Sequence, residues 1–152
     1  MHKILQSFVA LSAVFGTTTA QAACWSQPEV AAAKVKQLDT MLVVSALRCR
    51  NSQSDFMSSY NRFATRHRGN LAVASVMLQK HFGSAHAFDH YIISGANRYG
   101  AGVEGMSCAD LATIARTATE EQSTLEAVAN LAERSGVDPM LDGAMCEGVA
   151  RR

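Results

Sequence analysis

The chain has 152 residues, of which 48% are hydrophobic and 18% charged, with 14 Lys and Arg against 13 Asp and Glu. A near-neutral total excludes a polymer-binding protein that works by one-sided charge excess. The length sets one domain, with enough chain to bury a real core.

The N-terminus reads as an export signal. Lys3 gives a basic start, Phe8 to Phe15 is a short apolar run, and Ala20-Gln21-Ala22 is a small-residue cleavage site. The run is too short to span a bilayer, and no second run of that length follows, so no transmembrane segment is expected. The expected organisation is a removed signal over 1–22 and one helical domain over 23–152, periplasmic or secreted. Cys24 suits a lipidated cysteine by position. Gln21 stands where such signals carry Leu, and lipidation would leave an odd number of cysteines, so ordinary cleavage is favoured.

Ser26-Gln27-Pro28-Glu29 is a capping box with proline in the first turn. Ala31, Val35, Leu38 and Leu42 follow at helical spacing, and Met41 to Leu47 is apolar nearly all round. Such a helix belongs in the middle of its domain. Ser52 and Asp55 open a second helix carrying Phe56, Tyr60 and Phe63, with a break expected at Gly69-Asn70. Helix resumes from Leu71 to Phe82 and stops at Gly83. A third helix starts near Ser84, with Phe88, Tyr91, Ile92 and Gly95 on one side.

Residues 99–106 hold three glycines in a loop, and Ser107-x-x-Asp110 caps the next helix. Its apolar stripe predicts one long helix to about Arg134, ended by Gly136; the alternative is a restart at Thr119-x-x-Gln122 with a kink near Thr119. A short helix is expected over 140–146. No clear strand or repeat appears. The fold class is all-α, a four-helix-bundle-like single domain.

All four cysteines lie in the exported part, which implies two disulfides. Cys24 and Cys49 bracket a helix of more than 20 residues, whose ends are more than about 30 Å apart. They cannot pair, because a disulfide needs Cα atoms within about 7 Å. Up-and-down alternation puts Cys49 and Cys108 at one pole and Cys24 and Cys146 at the other. The expected pairs are therefore Cys49–Cys108 and Cys24–Cys146.

Three constellations are candidates for chemistry. His86 and His90 stand four apart on one helix face with His81 nearby, a spacing that can hold a metal ion. The alternative is three solvated imidazoles. Arg62, Arg66 and Arg68, with His67, form a basic cluster that can take an anion. Here the alternative is a solvated face paired with acidic residues. Gly100 to Gly105 matches G-x-G-x-x-G in letters, but no strand precedes it and no helix opens from it, so no cofactor is implied. Asn97-Arg98-Tyr99 can form a binding rim, and Trp25 is read as packing over the disulfide. No catalytic residue can be named.

Charge is segregated along the chain. Residues 24–100 carry nine basic and four acidic side chains, and residues 101–152 carry four basic and nine acidic. Opposite halves that fold together are expected to neutralise each other.

Cys24-Trp25, Ala31-Ala32-Ala33, Thr40 to Val44 through Leu47-Arg48-Cys49, Tyr60-Asn61-Arg62-Phe63, Phe88-Asp89-x-Tyr91 and Ala96-Asn97-Arg98-Tyr99 resemble short exported proteins of Alphaproteobacteria. The resemblance covers residues 24 to about 100 and implies an exported protein with no assigned activity. Some such chains carry an adenosylhomocysteine-hydrolase label. That enzyme class is far longer and uses an NAD-binding Rossmann domain, from which this chain departs everywhere except the six-residue glycine match. The functional expectation is a non-enzymatic binding or envelope-associated protein, its partner an envelope protein or a small ligand, with nucleic acid not expected. The alternatives are metal binding through His81, His86 and His90, or an envelope hydrolase with unidentified catalytic residues.

Overall fold

The computed structural model describes residues 24–147, so the expected signal segment 1–22 and the chain end 148–152 lie outside it. Six helices follow in order: α1 Gln27–Cys49, α2 Met57–Arg66, α3 Arg68–Phe82, α4 Ala85–Gly100, α5 Cys108–Glu120 and α6 Leu125–Arg134. The domain is all-α, and two disulfides staple it, Cys24–Cys146 and Cys49–Cys108.

Local chemistry sets most of the boundaries. Glu29 Oε2 accepts both the Ser26 N–H and its hydroxyl, at 2.8 and 2.6 Å, which closes the start of α1. Asp110 Oδ2 does the same for Ser107 ahead of α5. Gly83 ends α3 with φ 71°, a left-handed conformation that a side chain would strain. Ser84 then caps α4 by accepting the Ala87 N–H.

α1 is the hub. It packs against each of the other five helices, and Ala32, Val35, Leu38, Met41, Leu42 and Ala46 are buried on several of its sides. α3 and α4 pack on each other and on α1. α2 pairs chiefly with α5, and α6 lies on α1. Neither α5 nor α6 shares a substantial interface with α3 or α4.

Three expectations about elements are corrected. The second helix breaks at His67 rather than at Gly69. The buried His67 ring reaches the Ala118 carbonyl at 2.8 Å, and the backbone there unwinds to φ −99°, ψ 15°. Gly69 stays helical and exposed. The long helix expected to Arg134 is two helices. Glu121 turns extended, and Thr124 opens α6 by accepting the Ala127 N–H at 3.1 Å. Gln122-Ser123-Thr124 favours a cap over continued helix.

Finally, residues 138–147 form an extended strap, not a short helix. Met140 has a positive φ of 53°, and Gly143 one of 104°. The strap's backbone bonds go elsewhere: Ala144 O accepts the Trp25 N–H at 2.9 Å, and the Cys146 N–H donates to Trp25 O at 3.0 Å. Among the described residues this single bridge is the β-type pairing.

Candidate functional site

The aromatic cluster at the start of α1 forms around Trp25. Its indole is buried beside the Cys24–Cys146 bond and donates from Nε1 to Asp142 O at 2.8 Å. The His81 imidazole stacks on it with ring centroids 3.7 Å apart, and Phe82 meets it edge-on. Glu29 Oε1 lies 3.3 Å from His81 Nδ1, a polar contact rather than an aligned hydrogen bond. Burial works to raise the Glu29 pKa, but the Ser26 hydroxyl, the Ser26 N–H and His81 together hold it below the usual carboxylate value. Next to this cluster, Tyr91 donates to Pro139 O at 2.7 Å, and Arg98 pairs with Asp138 at 2.6 Å. The strap is thereby held down at several points along its length.

This geometry corrects the metal reading. His81 is packed into the Trp25 cluster with its side chain 6% exposed, while His86 and His90 stand exposed on α4. Among the described residues no three His, Cys, Asp or Glu side chains converge to hold a metal ion. His81 ends α3 facing α1, across a tight turn from the other two, so spacing in sequence did not become proximity in space. Asn97-Arg98-Tyr99 is not a rim either. Arg98 is committed to the strap, and Tyr99 is buried, which pushes its phenol pKa up.

The basic cluster is partly assembled. Arg62 and Arg66 stand one turn apart on α2 and line a shallow, open groove of about 520 Å³ with Asn61, Thr65 and Thr119 of α5. Arg68, beyond the His67 break, does not line it. Arg62 donates to Ser59 Oγ at 3.0 Å, and Arg66 Nε to Glu121 O at 3.4 Å. Neither guanidinium meets a carboxylate among the described residues. The aromatic neighbours are structural: Phe63 is fully buried, and the Tyr60 hydroxyl donates to Asp39 at 3.2 Å.

Neutralisation between the two halves is correspondingly incomplete. Lys34–Glu133 and Arg98–Asp138 are the ion pairs that cross between them among the described residues. Arg48, Arg50, Arg62, Arg66, Arg68 and Lys80 keep no carboxylate partner there. Arg48 instead lies against Gly102, whose φ of 117° would strain any side chain and whose Cβ, if present, would press on the guanidinium.

Sequence reasoning missed two contacts, His67 with Ala118 and His81 with Trp25 and Glu29. The signal for the second was weak but present. Glu29 is a capping carboxylate with a second oxygen to spare, and an aromatic precedes it at Trp25. No family model matches the chain, and no curated protein or solved structure is significantly similar to it.

Proposed function

We propose that the chain is an exported binding protein of the cell envelope, and that the α2/α5 groove takes the compact anionic group of its ligand: a phosphate, sulfate or carboxylate. The observation that carries this reading is the pair Arg62 and Arg66. Two guanidiniums one helical turn apart border an open groove, free of carboxylate partners, with the polar side chains of Asn61, Thr65 and Thr119 beside them. Guanidiniums present planar, paired donors to oxyanions. Export is supported by the signal-like segment and by two disulfides, which persist in oxidising compartments. No helix of the described residues is long and apolar enough to cross a membrane, consistent with a protein that works outside the bilayer core.

Thermal melting in phosphate, sulfate and citrate, each against chloride at matched ionic strength, tests the groove. Binding to the folded state raises the melting temperature. The expected result is a rise with at least one oxyanion that disappears in R62Q/R66Q. An equal rise in that variant, or no rise with any of them, removes the groove as the site.

A further inference from the structure

We propose that the outer face of α3 docks on the headgroup surface of an anionic lipid bilayer. Arg68, Ala72, Val76 and Lys80 recur every fourth residue, in one line along the helix. All four are exposed, as are Gly69, Val73 and Gln79 on the same face. Val76 and Val73 are 66% and 52% exposed, among the most exposed large apolar side chains of the described residues. The line runs roughly 18 Å along the helix axis. It places aliphatic side chains at the centre and a cation at each end.

Three further observations select an anionic bilayer over other occupants. α3 contains no Asp or Glu in its 15 residues, so nothing on the helix repels an anionic surface. Arg68 and Lys80 have no carboxylate partner among the described residues. The carboxylates of α5 and α6 lie on helices that share no substantial interface with α3. A field from an anionic surface therefore orients the domain with α3 inward.

A second copy meeting this face symmetrically would bring like charges together. The convex face of one helix also offers no cleft for an anchoring side chain of a protein partner, whereas a fluid bilayer needs no matching shape. With two valines and two cations, the contact is peripheral and reversible. It does not rest on the α2/α5 groove.

Co-sedimentation of the full chain with vesicles tests it, comparing phosphatidylcholine alone with phosphatidylcholine containing phosphatidylglycerol. Binding is expected with the anionic vesicles only, and it should weaken as salt is raised. R68Q/K80Q should reduce partitioning roughly 30-fold at low salt, since each basic residue near such a surface contributes about one kcal/mol. V73S/V76S should reduce it roughly fivefold through lost apolar contact. Both pairs are exposed, and circular dichroism should show the wild-type helix content in each variant. Absence of binding to anionic vesicles, or unchanged binding in both variants, overturns the proposal. So does a dimer in analytical ultracentrifugation that V73S/V76S dissolves, which would assign the face to a second copy. Val73 and Val76 do not line the groove, so this result and the oxyanion melting result are read separately.

Discussion

The His81 imidazole lies nearly flat on the Trp25 indole, with planes 26° apart and centroids 3.7 Å apart. Trp25 thus holds the end of α3 on one side and the strap on the other, through its Nε1–H and both backbone groups. W25A should lower stability by about 3–5 kcal/mol, as deletion of a buried aromatic does. Hydrogen exchange should show residues 142–146 opening ahead of the core. W25F, which keeps most of the packing and loses the bond to Asp142 O, should lose about 1 kcal/mol. Equal exchange at the strap in W25A and wild type would mean that the disulfide, the backbone bridge and the Tyr91 and Arg98 contacts hold it without the indole.

Gly95 of α4 sits against the fully buried Gln37 of α1, and a Cβ there would collide with the Gln37 amide. Gly to Ala inside an exposed helix stabilises by about 1 kcal/mol. Here the sign should reverse, and G95A should destabilise by about 1–3 kcal/mol in urea unfolding. Shortening the partner in G95A/Q37A should recover part of that loss, a non-additivity typical of residues in contact. A stabilised G95A would show that the two helices separate easily.

His67 gives the domain a pH dependence. Burial holds its imidazole below the usual histidine pKa. The hydrogen bond to Ala118 O opposes that shift, nearby Arg66 reinforces it, and Glu121 opposes it. The unfolded chain therefore takes up the proton at a higher pH than the folded one. The stability contributed by neutral His67 is complete above about pH 6.5 and falls as pH drops toward the folded-state value. H67Q keeps an N–H for Ala118 O but does not titrate. Its unfolding free energy should decline less than wild type between pH 7 and 5, and parallel profiles would refute the assignment.

The disulfides close chain segments of very different length, with sequence separations of 122 for Cys24–Cys146 and 59 for Cys49–Cys108. C24S/C146S and C49S/C108S should each lower stability by about 2–4 kcal/mol. In the first, protease should cut within the strap before the helices unfold. Peptide mapping of the unreduced protein should recover these two linkages, and a Cys24–Cys49 peptide would contradict the fold.

What could be read from the sequence was local or followed from length. Ser26 with Glu29, Ser107 with Asp110, and Gly83 mark helix ends through bonds within a few residues of themselves. The span of the first helix excluded Cys24–Cys49, and the up-and-down alternation of the helices then chose between the two remaining pairings. What could not be read depended on partners far along the chain. The break at His67 is fixed by a carbonyl 51 positions away. His81 looks polar by spacing, yet Trp25 and Glu29 draw it inward. The strap has no helix because Trp25 takes its backbone bonds, a competition no local propensity records. Of the basic candidates, Arg62 and Arg66 came together, while the His67 break carried Arg68 onto α3.

The bond between Cys24 and Cys146 also has a mechanical meaning. Its two Cα atoms are 4.8 Å apart, and everything from α1 to the strap lies between them in the chain. Tension applied through segments before Cys24 and after Cys146 passes across one covalent link and never reaches the helices. In a single-molecule pulling experiment the oxidised domain would give no unfolding step, and reduction would return its full contour length.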